Sequence, residues 1–233
     1  MSEKVESLRN IALVAHSGAG KTSLAEAMLY DSGITKRLGR VEDGNTAMDF
    51  EPEELKRTSS ISSGFHQFEW KKHTINIIDT PGDQNFFSDT LSCQQAADGA
   101  LVVIDAVDVV KPQTEQAWEF ADEFALPSAI VINKLDRERA DFTRTFDDIS
   151  SCFESPRPIL VQLPIGAEAD PLPIKGKKAP EIIGPGVKRK IVMAFDYYFL
   201  EQTIRAPMLE AASSMIDAFK PDEEEVMIVA LAW

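Results

Sequence analysis

The sequence predicts an α/β fold with a mostly parallel sheet and helices on both of its faces. From Arg9 to about Gly166, short apolar runs alternate with amphipathic stretches of helical periodicity. The apolar runs in the middle of the chain are continuous and rich in β-branched residues, as expected of strands covered on both faces. Strands that alternate with helices imply parallel pairing through right-handed crossovers.

The individual elements follow from this pattern in chain order. Short runs of apolar or alternating residues predict strands at 11–14, 65–70, 74–79, 100–106 and 129–133. Amphipathic spacing predicts helices at 22–30, 85–97 and 113–125. The polar segment 31–63 is interpreted as a long mobile loop, and the Pro/Gly-rich segment 164–187 as a further loop. Residues 195–219 could form one or two helices.

Composition narrows the class of protein. The chain has 233 residues, 44% of them hydrophobic, which suggests one domain or one domain with an appendage. With 24 basic and 38 acidic residues the net charge is −14, so we expect no binding to free DNA or to anionic membranes. The amino terminus lacks the apolar core of a signal peptide, and Cys93 and Cys152 form no close pair. We therefore expect a cytoplasmic, monomeric protein.

The first chemical motif lies between the first strand and the first helix. Gly18 and Gly20 let the backbone curl so that successive N–H groups form a nest for an anion. Lys21 can reach the β- and γ-phosphates of a nucleotide, and the Thr22 hydroxyl can bind Mg²⁺. Ala15 replaces the first glycine of the general phosphate-loop pattern. The complete motif is Ala15, His16, Ser17, Gly18, Ala19, Gly20, Lys21 and Thr22.

The second motif closes the strand at 74–79 and reads Asp79, Thr80, Pro81, Gly82 and Asp83. An aspartate at the end of a neighbouring strand can hold Mg²⁺, usually through a water. The N–H of Gly82 can donate to the γ-phosphate. This motif alone resembles a common turn, but its position about 57 residues after the phosphate loop favours a nucleotide site.

The third motif follows the strand at 129–133 and reads Asn133, Lys134, Leu135 and Asp136. Guanine has two adjacent donors, N1–H and the exocyclic amine, and an ionised Asp136 accepts both. Adenine has an acceptor at the corresponding ring nitrogen and would be repelled. All three motifs follow strands of one parallel sheet, at whose carboxyl ends ligands bind. An ATP-using kinase or ATPase with the same phosphate loop is a weaker alternative.

Together these motifs resemble the GTP-binding domain of translational GTPases, namely elongation factor G and its paralogues. Further similar stretches lie at 8–16, 98–107, 113–115 and 162–168, so the resemblance covers residues 8–168. It implies a P-loop NTPase of the Ras-like G-domain type, GTP and GDP as ligands, Mg²⁺ as cofactor, and hydrolysis stimulated by the ribosome. A role in translocation or recycling would follow. Ala15 at the first glycine position is common in this family.

The resemblance implies roles for further residues. Residues 57–61, Arg-Thr-Ser-Ser-Ile, occupy the family's effector segment Arg-Gly-Ile-Thr-Ile, which puts Ser60 at the threonine that closes onto Mg²⁺. The expected metal ligands are Thr22, Ser60 and Asp79, and the expected catalytic residues are Lys21, Gly82 and Asp83. Gly18 stands where many relatives carry aspartate.

Asp83 is the most consequential departure, because the family has histidine there to position the attacking water. Two unit charges about 4 Å apart repel by about 4 kcal/mol at an effective dielectric of about 20. An anion beside the γ-phosphate would thus slow hydrolysis by more than about two powers of ten. The alternative function is accordingly a GTP-binding switch module with little or no turnover.

The domain organisation also departs from the family. Residues 8–168 are predicted to form the core of the GTP-binding domain. Residues 169–233 remain an unassigned tail, a candidate remnant of the family's inserted subdomain. We find none of the family's later domains in these 65 residues, nor its Ser-Ala loop that contacts guanine. The fold is therefore expected to be truncated or diverged after about residue 168.

Overall fold

The computed structural model describes residues 7–70, 72–153, 158–160, 165–167, 170–172 and 190–194. In these ranges the strands are β1 Leu8–Val14, β2 Gly64–Trp70, β3 His73–Asp79, β4 Gly99–Asp105, β5 Ser128–Asn133, β6 Pro158–Leu160, β7 Ile165–Ala167, β8 Asp170–Leu172 and β9 Lys190–Ala194. The helices are α1 Lys21–Asp31, α2 Pro52–Arg57, α3 Phe87–Ala96, α4 Pro112–Glu123 and α5 Phe142–Cys152. A short 3-10 helix, Gln84–Phe86, directly precedes α3.

The main sheet has the order β2-β3-β1-β4-β5-β9-β6 among the described residues. All neighbouring pairs are parallel except β2 with β3, which form an antiparallel pair at one edge. Because β1, β3, β4 and β5 run in the same direction, their carboxyl ends meet at one edge of the sheet. The predicted motifs follow three of these four strands.

The core lies at the centre of this sheet. Every residue of β4 and β5 is buried, so both faces of these strands are covered. This burial explains their continuous apolar sequence, because no position faces water. On one side, the Trp118 ring of α4 stacks on Phe153 after α5, with ring centroids 4.2 Å apart. The edge of the sheet at which the three motifs lie is therefore supported by a closely packed core.

The predicted α/β class with a mostly parallel sheet is confirmed, but two helices were missed. The first, α2, lies inside 31–63, which the sequence analysis interpreted as loop. It begins with Pro52 at its first position and has a capping box between Glu51 and Glu54. Six residues give too little periodicity to reveal a helix, although proline and glutamate at these positions are start signals. The second, α5, begins after Asp141, whose side chain accepts from Arg144 N at 3.0 Å.

Beyond residue 158 the structure differs from the expected loop. The strands β7 and β8 form a small antiparallel pair within the predicted loop at 164–187. Part of the tail, β9, lies between β5 and β6 in the main sheet and pairs in parallel with both. Its partners are distant in the sequence, so local pattern did not reveal it. The helices predicted at 195–219 lie outside the described residues. Within the described part of the chain, each helix is too short or too polar to cross a membrane.

Candidate nucleotide-binding site

The phosphate loop connects β1 to α1 at the carboxyl edge of the sheet. Gly18 and Gly20 have φ values of +83° and +99°, which residues with a Cβ rarely adopt. A Cβ on Gly20 would also lie 2.3 Å from the side-chain nitrogen of Asn133. Ala15 is buried and has no positive φ, so its methyl group fits without backbone strain. The loop thus keeps its curl although the general pattern has a glycine at 15.

Lys21 is buried at the start of α1 with its ammonium turned into the loop. Its Nζ donates to the carbonyl oxygens of Ala15 at 3.2 Å and His16 at 3.1 Å. Burial lowers the pKa of Lys21 to about 8, although the nearby Asp79 opposes this shift. A phosphate in the loop would supply the negative charge that favours the ammonium form.

The predicted metal ligands lie together. Thr22 Oγ1 donates to Asp79 Oδ2 at 2.6 Å and lies 3.2 Å from Ser60 Oγ. The second oxygen of Asp79, Oδ1, is buried without a hydrogen-bond partner. Burial raises the pKa of this carboxyl to about 7, with Lys21 opposing. A buried carboxylate oxygen beside two hydroxyls is a set of hard oxygen donors that suits Mg²⁺.

Asp49 belongs to the same cluster but was missed by the sequence analysis. Ser60 Oγ donates to Asp49 Oδ1 at 2.9 Å, and Thr46 Oγ1 donates to the other oxygen at 3.1 Å. Burial raises the pKa of Asp49, while these two hydroxyl donors oppose the shift. Nothing in its sequence neighbourhood marks it, because Asp49 and Ser60 come together only through the fold of the segment between them.

The second motif packs directly on the phosphate loop. A Cβ on Gly82 would lie 2.4 Å from Ser17 N and 2.6 Å from Lys21 Nζ, so only glycine fits there. Thr80 fixes the motif to β1, since its hydroxyl donates to the Leu13 carbonyl at 2.7 Å. The Pro81 carbonyl accepts from the Thr90 hydroxyl of α3 at 2.7 Å. Gly82 therefore lies directly against the backbone of the phosphate loop.

Asp83 has a structural partner of its own. Its Oδ1 accepts from the backbone N of Asn85 at 2.9 Å and from the Asn85 side-chain amide at 2.8 Å. Asp83 thereby caps the 3-10 helix before α3. Two donors on one oxygen restrain the carboxylate at the helix start, which is a role that histidine does not fill in the same way.

The third motif is bonded to the phosphate loop from the other side. Asn133 Nδ2 donates to the Ala19 carbonyl at 2.9 Å, and Lys134 Nζ donates to the Gly18 carbonyl. Lys134 Nζ also donates to Asp105 Oδ2, at 2.7 Å. Leu135 is buried and Asp136 is half-buried. Asp105, the last residue of β4, is a second residue that the motifs did not indicate.

Comparison with known proteins identifies the family of the chain. The model of the elongation factor Tu GTP binding domain family matches residues 6–229. The chain belongs to this family. Its match extends past residue 168, the limit of the stretches that carry the resemblance. The recognition made from the motifs is therefore confirmed.

Individual relatives cover different parts of the chain. Elongation factor G of Granulibacter bethesdensis is 43% identical over 164 residues, which are 70% of this chain and 24% of the relative. Elongation factor G 2 of Geobacter metallireducens is 34% identical over 97% of this chain and 34% of its own length. The mitochondrial ribosome-releasing factor 2 of Yarrowia lipolytica is 41% identical over 68% of this chain and 20% of its own. The chain thus spans about a fifth to a third of these relatives.

A solved structure agrees at the level of the fold. The crystal structure of a protein from Thermus thermophilus superposes with a TM-score of 0.67 and 33% identity. The superposition covers 72% of this chain and 25% of the Thermus thermophilus chain. The GTP-binding family fold is therefore shared in three dimensions as well as in sequence.

Within this GTP-binding domain, His16 connects the phosphate loop to Thr114 of α4. Its backbone N donates to Thr114 Oγ1 at 3.2 Å, and its Nδ1 lies 3.1 Å from the same hydroxyl. Because Thr114 Oγ1 accepts the backbone proton, its own proton can go to Nδ1, which leaves the ring proton on Nε2. Nε2 faces Asp108 Oδ2 at 3.9 Å. Burial lowers the pKa of His16 to about 4, so the ring is neutral at pH 7.

Proposed function

We propose that this chain binds GTP and GDP with Mg²⁺ and hydrolyses GTP in connection with the ribosome, in translocation or recycling. The contact of all three motifs at one edge of the sheet supports this most directly. Gly82 packs on Ser17 and Lys21, while Asn133 bonds to Ala19 from the opposite side. In such a site the loop N–H groups bind phosphate, and the third motif, which is bonded to the loop, selects the base.

Each residue has a proposed role that its chemistry supports. The loop N–H groups and the Lys21 ammonium bind the phosphates. Thr22, Ser60 and Asp79 would hold Mg²⁺, and the Asp79 carboxylate would balance its charge. When bound, Mg²⁺ neutralises negative charge on the phosphate oxygens. Asp136 accepts the two donors of guanine, while Asn133 and Lys134 hold the loop in shape.

A second function is favoured by the environment of Asp83. Its carboxylate is engaged by Asn85 and carries a negative charge next to Gly82. It can accept a proton from water, but it also repels the γ-phosphate. A GTP-binding switch module with slow or no turnover would result. Lys21, Thr22 and Asp79 favour the hydrolytic alternative.

The ribosome is proposed as partner because relatives are named elongation factor G and ribosome-releasing factor 2. We propose a cytoplasmic monomer, with no binding to free DNA or membranes. The net charge of −14 supports the last point, since the chain has no excess positive charge that would attract free DNA or anionic lipid. Sedimentation of the chain with and without ribosomes at physiological salt tests the partner.

Titration of the purified 233-residue chain with fluorescent GTP and GDP, competed by unlabelled GTP or ATP, tests the binding proposal. We expect GTP and GDP to compete, and ATP to fail even at an excess of about a hundredfold. Equal competition by ATP would favour the ATP-using alternative. A parallel titration with excess chelator tests the requirement for Mg²⁺.

Single-turnover GTP hydrolysis with and without ribosomes separates the two functions. We expect slow hydrolysis that rises when Asp83 is changed to alanine or histidine, because an anion is removed. A fast, ribosome-stimulated rate that Asp83→Ala leaves unchanged would contradict the slow-turnover alternative. No hydrolysis in any variant would favour the switch module.

A further inference from the structure

The segment 31–63, for which the sequence predicts a mobile loop, contains a buried carboxylate, Glu54. Its side chain is in α2, and the residue is 1% exposed. Oε2 accepts from the backbone N of Phe50 at 3.2 Å and of Glu51 at 3.0 Å. Oε1 accepts from the backbone N of Ile61 at 2.8 Å and of Ser62 at 2.9 Å. Four backbone donors on one carboxylate compensate the cost of burying its charge.

These bonds join the two ends of a short loop around α2. Between the joined ends lie Ser59 and Ser60. Ser59 Oγ lies 3.2 Å from Ser17 Oγ of the phosphate loop, and Ser60 Oγ lies 3.2 Å from Thr22 Oγ1. The carboxylate that closes the loop therefore also determines where these hydroxyls stand relative to the phosphate loop and the metal site.

A second buried carboxylate anchors the residues just before this loop. Glu26 of α1 accepts from the backbone N of Ala47 at 2.5 Å and of Met48 at 3.0 Å. These residues lead directly to Asp49, which accepts from the Ser60 hydroxyl. The contacts that hold Ser60 near Thr22 thus come from side chains of the protein itself.

From this geometry we propose that Glu54 is a positioning residue that holds Ser60 at the metal site before nucleotide binds. The proposal rests on the proposed function, because it concerns affinity for GTP. Where a switch segment is ordered only by the γ-phosphate, the ligand bears the entropic cost of ordering. Here the bonds of Glu54 already order much of the segment, so replacing Glu54 weakens the binding of GTP. GDP, which lacks the γ-phosphate, is affected less.

The matched variants are Glu54→Gln and Glu53→Gln. The glutamine amide has one oxygen and one NH₂ group, so two of the four backbone N–H groups would face a donor. Glu53 is on the same helix but exposed, with its carboxylate 3.1 Å from Arg57 Nε. Its replacement removes the same charge from the same helix and leaves the bonds of Glu54 intact. Glu54→Asp keeps the charge and shortens the side chain, and provides a milder variant should Glu54→Gln not fold.

Two measurements test the proposal. Hydrogen exchange of the 61–62 amides in the nucleotide-free chain should accelerate at least about tenfold in Glu54→Gln. This factor corresponds to the loss of about one hydrogen bond to a charged group. The dissociation constant of GTP with Mg²⁺ should rise about tenfold, with a rise of less than about threefold for GDP. Glu54→Asp should show the same direction in both, and Glu53→Gln should match the wild type.

The double variant Glu54→Gln/Ser60→Ala adds a readout that a general loss of stability would not give. If Glu54 acts through Ser60, the GTP:GDP affinity ratio of the double variant should equal that of Ser60→Ala. Equal losses for GTP and GDP, or unchanged exchange at 61–62, would overturn the inference alone. A wild-type chain that binds neither nucleotide would overturn the proposed function and this inference with it.

Discussion

The phosphate loop and the segment 31–63 face the same metal site but are held in different ways. The phosphate loop follows β1, whose last four residues are buried, and it is packed against Gly82 and bonded to Asn133 and Lys134. The segment 31–63 is held by the buried side chains of Glu26 and Glu54. An added Cβ on Gly20 or Gly82 would collide with its neighbours, whereas the side-chain bonds of Glu26 and Glu54 can break and reform. The phosphate loop is therefore suited to bind the phosphates, and the segment 31–63 is suited to change when the nucleotide changes.

The largest expected effect tests the rigid region. Gly82→Ala puts a methyl group 2.4 Å from Ser17 N, and backbone atoms cannot yield as a side chain does. We expect GTP affinity to fall by at least about a hundredfold, roughly 3 kcal/mol of overpacking strain. Isothermal titration calorimetry measures it.

Gly44→Ala is the control in the responsive segment. Its φ of +61° costs alanine about 1 kcal/mol, but its Cβ would meet only Leu55 Cδ2, at 3.8 Å. We expect unchanged nucleotide affinity and slightly lower stability. Similar affinity losses at both positions would break the distinction between the two regions.

Base selection gives the next effect. Asp136→Asn replaces one acceptor oxygen by an amide donor, which opposes the donors of guanine. We expect GTP affinity to fall by about a hundredfold, close to 2.7 kcal/mol, and affinity for xanthosine triphosphate to rise. Competition titration measures both, and Asp141→Asn is an exposed control at the α5 cap. Unchanged preference for guanine would place base recognition elsewhere.

The His16 brace predicts a pH dependence. The pKa of His16 is lowered to about 4 in the folded protein, so the unfolded chain binds the proton more tightly. Stability therefore falls as the pH drops below about 6.5, by about 2 kcal/mol between pH 7 and pH 5 from this residue. The raised pKa of Asp79 acts in the opposite direction throughout this range. The difference between wild type and His16→Asn in urea unfolding isolates the histidine contribution.

A steeper loss in wild type than in His16→Asn is the expected outcome. Parallel curves would show that the ring is not held neutral against α4. His66→Asn on β2 serves as the histidine control, since β2 is an edge strand. Its curve should follow the wild type.

The smallest effect concerns the surface of α2. Glu53 pairs with Arg57 at 3.1 Å and Lys56 at 3.8 Å, and all three side chains are more than half exposed. Glu53→Gln should cost no more than about 0.5 kcal/mol, because solvent screens such pairs. Thermal unfolding measures this. A loss as large as that of Glu54→Gln would remove the contrast between the buried and the exposed carboxylate.

Sequence reasoning was strongest where chemistry is local. Gly20, Lys21 and Thr22 follow one another, and their types alone predict a phosphate loop between a strand and a helix. It was weaker where partners are distant. Asp49 acts through Ser60, eleven residues away, and Asp105 acts through Lys134. Single aspartates in a loop or at a strand end carry no local signal of these roles.

The sequence by itself determined the α/β class, the three motifs and the family, because strand periodicity and short glycine-rich motifs are properties of neighbouring residues. Only the tertiary structure decided that β9 joins the sheet between β5 and β6, that His16 braces α4, and that Glu54 closes the segment 31–63. Each of these depends on contacts between residues far apart in the chain or on burial of a charge. Burial and long-range contact exist only once the chain has folded.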